Sequence, residues 1–347
     1  MTGITRVSRE SIFSDLNHLE VVTTTSKKYA TSFGFKEEEV LEALDEFGLE
    51  SEKKKVKFWY DGFIFGNYKD IYNPWSILNF LDKKDYTAYW ANTSSNSLVN
   101  ILIRESNEEI KQSFEELLKG EHLFCPVDEQ IVYNQLDGND TAVWSLLVAS
   151  GYLKVISYEA MDLIEGSREP LYELALTNYE VKSMFYKMVR DWFGSVRPVY
   201  HNFMKAMMLG DLDAMNMYMN RITKQVFSYF DTSASAADSE PERFYHGFVL
   251  GLLVDMDDRY IITSNRESGF GRYDIIMEPK NRQHDAIIVE FKVLNAKREK
   301  TLEDTVSVAL QQIEEKQYKE VLIAKGIEES RIRKYGFAFE GKKVLIG

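Results

Sequence analysis

The chain has 347 residues, 44% of them hydrophobic and 28% charged, with a formal net charge of −13 and one cysteine. That balance describes an ordinary globular protein long enough for two or three domains. Cys125 alone excludes an intrachain disulfide and any multi-cysteine zinc site, and no apolar run approaches the roughly 18 to 20 residues that span a bilayer.

The acidity is uneven. Residues 241–347 hold 18 Lys+Arg against 18 Asp+Glu, so the whole imbalance falls in residues 1–240. A strongly acidic front half argues against a general nucleic-acid coat, whereas the neutral last third leaves phosphate binding open there. The N-terminal "MTGITRVSRE" has no hydrophobic signal region, so a cytoplasmic protein is expected.

In chain order, "GITRV" reads as a short strand, "SRESIFSDLNHLE" as a loop and "KEEEVLEALDEFG" as an acidic helix. Residues 57–92 are rich in aromatics, read as core packing, with turns at Asp61-Gly62 and Asn73-Pro74 and helical spacing from Trp75 to Leu81. "DTAVWSLLVASGYLKVIS" reads as a helix capped by Asp140 and stopped at Gly151, then a strand; "YELALTNYEV" is a second strand. Helix, strand, wing and strand suggest a winged-helix unit, here read as a packing module because the stretch is acidic. Residues 181–229 are helical with a methionine stripe of the kind that fills cores. The small, polar segment 231–242, "DTSASAADSEPE", is the clearest linker.

Beyond it the pattern changes. "PERFYHGFVLGLLVDM" reads as a helix, followed by strands "RYIITSN", "GRYDIIMEP" and "DAIIVEFKV". The amphipathic "LEDTVSVALQQIEEKQY" is expected to be a helix, "EVLIAKGI" a fourth strand and "KYGFAFEGKKVLI" a closing hairpin. In the third strand, Glu290 and Lys292 share one face, roughly 7 Å apart, because side chains alternate with period two. Were the second and third strands a hairpin, Asp274 would approach Glu290. Two carboxylates in a partly dry site repel unless a cation lies between them, and hard oxygen ligands suit Mg²⁺ or Mn²⁺. A lysine beside them can hold water or neutralise a developing phosphate charge. The spacing itself is weak, and a surface salt bridge at a strand end is the bland alternative.

The strings "FYHGFVLGLL", "RYIITSNRESGFGRYDIIMEP", "IIVEFK", "ALQQIEEKQY" and "RKYGFAFEGKKV" resemble the PD-(D/E)XK nuclease superfamily. Upstream, "TGITRVS", "WYDGFIFG", "YNPWSILNFL", "YWANTSSN" and "WSLLVASGYL" resemble bacterial proteins that join an AAA-ATPase-like region to such a domain. The resemblance implies a multi-domain α/β chain. Residues 1–120 would be the remnant of an ATPase-like domain with a helical lid, 121–230 a winged-helix-like and helical region, and 241–347 an α-β-β-β-α-β nuclease-like domain. It makes Asp274, Glu290 and Lys292 the catalytic set, with Asp274 and Glu290 as ligands of Mg²⁺ or Mn²⁺. Glu242 and His246, at i and i+4 on the first helix, would be further ligands, and Gln312 and Tyr318 supporting groups, though packing is the simpler role for the last two.

The sequence departs from the resemblance in one respect. It contains no G-x-x-x-x-G-K-[ST], so no ATP site is expected in this chain. An N-terminally truncated ATPase region follows as an expectation, with a protein partner supplying the missing half. The expected activity is metal-dependent phosphodiester hydrolysis, on DNA rather than RNA. The alternative is a non-catalytic binding or regulatory module that works with a separate ATPase.

Overall fold

The computed structural model describes residues 22–93, 96–128, 142–159, 170–230, 240–266 and 273–347. The expected "GITRV" strand, the Asp140 cap, the wing at 160–169 and the linker residues 231–239 lie outside them. The chain divides into two compact units, Met1–Lys187 and Met188–Gly347. Among the described residues no helix is long and apolar enough to cross a membrane.

The first unit runs β1 (Phe35–Lys36), α1 (Glu37–Glu46), α2 (Lys53–Tyr60), β2 (Asp61–Phe65), β3 (Tyr68–Tyr72), α3 (Pro74–Lys83), α4 (Ser97–Glu105) and α5 (Glu108–Lys119). It continues with β4 (Leu123–Cys125), α6 (Ala142–Ala149), β5 (Leu153–Glu159), β6 (Leu171–Leu176) and α7 (Tyr179–Trp192), whose last residues enter the second unit. Two three-stranded sheets form, β1-β3-β2 and β4-β6-β5. The acidic helix and the Trp75–Leu81 helix stand where the sequence puts them. Asn73 caps α3 by accepting from the Trp75 N–H, and Pro74 occupies the first turn, where its missing N–H costs nothing. The aromatic stretch is core only in part: Tyr60, Tyr72 and Phe80 are buried with Val40, Leu44, Val56 and Ile77, whereas Phe58, Tyr68 and Trp75 are exposed.

Two carboxylates hold this unit together in different ways. Glu180 is fully buried, and its oxygens accept from the Ser76 hydroxyl at 2.8 Å and the Trp90 and Ala91 N–H groups at 2.6 and 3.3 Å. One side chain thus staples α7 to α3 and to the loop around residue 90. Asp61 ends α2, and the next residue, Gly62, has φ +135°; a Cβ there would lie 1.9 Å from the Thr177 carbonyl oxygen, so only glycine lets the two segments approach. Burial pushes the Asp61 carboxyl up to about 7, and a hydrogen bond to Asp70 adds to this; the same bond holds Asp70 low. Lys57 Nζ, 3.7 Å from Asp61 and 3.3 Å from Asp70, opposes the rise.

The second unit runs α8 (Arg197–Leu209), α9 (Leu212–Phe230), α10 (Glu240–Met256), β7 (Tyr260–Arg266), β8 (Tyr273–Pro279), β9 (Ala286–Val293), α11 (Leu302–Glu315), α12 (Tyr318–Ala324), β10 (Ile332–Glu340) and β11 (Lys343–Ile346). Its five strands lie in the order β11-β10-β9-β8-β7; β9 and β10 are parallel and the other neighbours antiparallel. The expected strand "EVLIAKGI" is instead helical. Its residues fall mostly in α12, where Leu322 is buried with Ile313, Ala286 and Ile288 while Val321 is exposed. A short apolar run has no decisive period, and the parallel β9–β10 pair needs a crossover, to which α11 and this helix both contribute.

Methionines of α8 and α9, among them Met204, Met207, Met215 and Met219, are buried, as the stripe implies. α9 also closes the sheet edge. The Asn216 side chain donates to the Ile346 carbonyl at 2.8 Å and accepts from its N–H at 2.8 Å. Asn220 does the same with Val344, at 2.6 and 3.0 Å, and Thr223 donates to the Lys342 carbonyl at 2.9 Å. Four residues of helix advance about 6 Å and two residues of strand about 6.8 Å, so the two amides meet alternate residues of β11. The helix thereby satisfies the backbone groups that an edge strand leaves open.

Two outcomes follow. Asn220→Ala leaves both backbone groups of Val344 unpaired and should cost about 2 kcal/mol in urea unfolding. For Asp61, the folded group binds its proton more tightly than the unfolded one, whose ordinary value is 3.8. Its contribution therefore favours the fold at low pH and is lost as pH rises from about 4 to about 7. Stability measured at pH 5 should exceed that at pH 8, and Asp61→Asn should narrow the gap.

Candidate active site

The site is built on one transverse row of the second unit's sheet. Asn265 pairs with Asp274, Asp274 with Glu290, and Glu290 with Gly336. Residues directly opposite one another carry their Cβ atoms on one face, about 4.5 to 5.5 Å apart. Positions 274 and 290 are therefore cross-strand neighbours, as a β8–β9 hairpin requires. Lys292, two residues on, returns to the same face beside Ala338.

That face lies under α11. Ala286 and Ile288, in phase with Glu290, pack on Ile313 and Leu322. The helix comes very close at Gly336: a Cβ there would lie 2.9 Å from the Val306 carbonyl oxygen and 3.1 Å from the Ala309 Cβ. A glycine inside the apolar "YGFAF" is the one sequence signal of this approach. The opposite face of β9 is aromatic, with Phe291 against Phe248 of α10.

Glu290 is 0% exposed, and among the described residues neither of its carboxylate oxygens has a hydrogen-bond partner. A buried ionised carboxylate without a partner is costly, and such a group takes up a proton or a cation. Glu180 in the first unit is equally buried yet accepts three hydrogen bonds. The contrast marks Glu290 as a group whose environment is incomplete without a further species. A hard divalent cation such as Mg²⁺ or Mn²⁺, shared with the carboxylate at the paired position 274, fits that donor set. Lys292, 7% exposed, brings a cation to the edge of the same face.

The remaining candidates are placed as follows. His246 is 2% exposed on α10, a helix that meets β9 through Phe248 and Phe291, on the face opposite Glu290. Glu242 lies on the same helix one turn earlier. Gln312 is 7% exposed on α11, one turn beyond Ala309, and its Nε2 has no hydrogen-bond partner among the described residues. Tyr318, at the start of α12, packs against Ala286, Ile288, Ile313 and Leu322, near the opposite end of β9 from Lys292. Among the described residues no three His, Cys, Asp or Glu side chains converge as a ready metal cluster.

Residues 240–347 match the family described as the PD-(D/E)XK nuclease superfamily. The C-terminal part of the chain carries a domain of that superfamily. The element order α10, β7, β8, β9, α11 and β10 is the α-β-β-β-α-β succession expected of it, with α12 inserted and β11 added at the edge. A relative from Azotobacter chroococcum mcd 1, described as an uncharacterized protein in the vnfD 5′ region, is 24% identical over 190 residues. The match covers 53% of this chain but only 32% of that protein, so the aligned part spans about a third of the relative's length. No solved structure matches.

If the Glu290 carboxylate is the incomplete group, two measurements change together. In chelator at pH 8, Glu290→Gln should raise the calorimetric Tm of the second unit, by about 1 kcal/mol or more in stability. Mn²⁺ should raise the wild-type Tm and leave that of Glu290→Gln unmoved.

Proposed function

We propose that the PD-(D/E)XK nuclease domain hydrolyses phosphodiester bonds with a divalent metal, acting on DNA in preference to RNA. The observation that carries this reading is the buried, unpartnered Glu290 carboxylate, paired across the sheet with Asp274 and followed on the same face by Lys292.

In this reading Asp274 and Glu290 hold Mg²⁺ or Mn²⁺, which supplies Lewis-acid activation of a phosphoryl oxygen and of water. Lys292 stabilises the negative charge that develops on the phosphoryl group, in surroundings where little water weakens it. Gln312 is a polar support and Tyr318 serves packing, while Glu242 and His246, on the helix that covers the opposite face of β9, are left out of the metal set. Upstream of the nuclease domain at 241–347, an ATPase-like stretch is assigned to 1–120 and a winged-helix-like and helical stretch to 121–230, whose α8 and α9 fold with the second unit. With no phosphate-binding loop in the sequence, any ATPase contribution belongs to a separate protein partner, and a cytoplasmic setting suits both.

The test is a cleavage assay on single-stranded DNA, duplex DNA and RNA, in Mg²⁺, Mn²⁺ or chelator. Wild type should cleave DNA only with metal. Asp274→Ala and Lys292→Ala should each lower the rate at least about 100-fold, the scale of losing one electrostatic stabiliser, with circular dichroism unchanged. Absence of cleavage in every arm would favour the non-catalytic module instead.

A further inference from the structure

Beyond β9 the chain enters a short loop that carries Lys297, Arg298 and Lys300, just before α11 begins at Leu302. The Leu294 N–H still donates to the Phe339 carbonyl, so the chain follows the sheet to that point. Three residues separate Lys292 from Asn295, at most about 11 Å, and five separate it from Lys297, at most about 18 Å. The loop therefore lies beside the candidate site.

Two nearby acids, Glu299 and Asp304, bond to the loop's own backbone. Glu299 Oε2 accepts from the Asn295 N–H at 2.9 Å and from the Thr305 hydroxyl at 2.8 Å. Asp304 Oδ2 accepts from the N–H groups of Lys300 and Thr301, both at 3.0 Å, and completes the capping box of α11. Asn295 Oδ1 accepts from the Lys297 N–H at 3.1 Å. These bonds set the backbone and occupy the α11 N-terminus, leaving the three cationic side chains exposed, with no contact ion pair among the described residues.

Cations elsewhere on the domain are treated differently. Lys319 pairs with Glu329, Lys325 with Glu278, Lys334 with Glu314, and both Arg331 and Arg333 with Asp285. Arg282 lies near Gly326, in the turn that precedes β9 and away from its Lys292 end. Residues 290–304 carry four acids and four bases, but Glu299 and Asp304 are engaged by N–H and hydroxyl donors, whereas Lys297, Arg298 and Lys300 make no contact ion pair among the described residues.

From this we infer that Lys297, Arg298 and Lys300 grip the phosphate backbone of a DNA substrate and position it over the site, without reading bases. The inference rests on the nuclease reading for its choice of substrate. Side chains held in water by a braced loop suit non-specific phosphate contacts, whose strength comes from counterion release and falls with salt.

The test measures binding, not cleavage. The full chain in chelator is titrated with a fluorescein-labelled 20-mer, duplex or single-stranded, from 50 to 300 mM salt. The variants are Lys297→Ala/Arg298→Ala/Lys300→Ala and, as control, Lys319→Ala/Lys325→Ala/Lys334→Ala. The loop variant should lower the slope of log Kobs against log salt by about 2 to 3, from about 0.9 per duplex contact or 0.7 per single-strand contact. The control should leave the slope unchanged. A loop-variant slope within about 0.5 of wild type, an equal fall in the control, or no binding of either probe by wild type would overturn the inference. So would loop-dependent binding to phosphatidylserine vesicles in place of DNA. Salt-dependent binding through the loop without metal-dependent cleavage would sink the nuclease reading and leave the loop's role standing; cleavage with an unchanged slope would do the reverse.

Discussion

The eight-residue parallel register between β9 and β10 is the constraint on which the second unit depends. Parallel neighbours need a crossover long enough to climb back over the sheet, and α11 supplies it. Once α11 lies on that face, the central strand is covered on both sides, by Ile313 and Leu322 below and by Phe248 of α10 above. The same register sets Glu290 between Asp274 and Gly336, so the pairing that builds the core also builds the site. A one-residue slip would turn Glu290 into the aromatic layer and Phe291 toward the helix.

The two units show one residue type used to opposite ends. Glu180 and Glu290 are both inaccessible glutamates. The first accepts from donors on two segments, α3 and the loop around residue 90, and acts as a rivet. The second sits where β9 is flanked by apolar side chains and a helix close against Gly336, with no donor aimed at it among the described residues. A fold that leaves such a group unsatisfied gives up stability at that point, a pattern found where reactivity rather than packing is selected.

Much of this was legible beforehand, for physical reasons. Period-two alternation put Glu290 and Lys292 on one face, and the hairpin on which the approach of Asp274 was conditional is the one that pairs it with Glu290. Helical spacing from Trp75 to Leu81 indicated α3, while Asn73-Pro74, read as a turn, proves to be its cap and first turn. What escaped were features set by partners distant in sequence. "EVLIAKGI" has the composition of a strand, and only its packing against Ile313 and Ile288 makes it helical. Gly336 is required by the close approach of α11, which no neighbour in sequence announces. Asn216, Asn220 and Thr223 have the look of a solvated helix face, and nothing local says that a strand will lie on them.

That last feature bears on how the chain is made. Asn216 and Asn220 are separated from their strand partners by 130 and 124 residues. During synthesis α9 emerges from the ribosome well before β11 exists, so its amides wait in water while the intervening helix, hairpin and crossover take shape. The unit cannot close until its final strand is released, and folding is governed by late, non-local closure rather than by growth from the front.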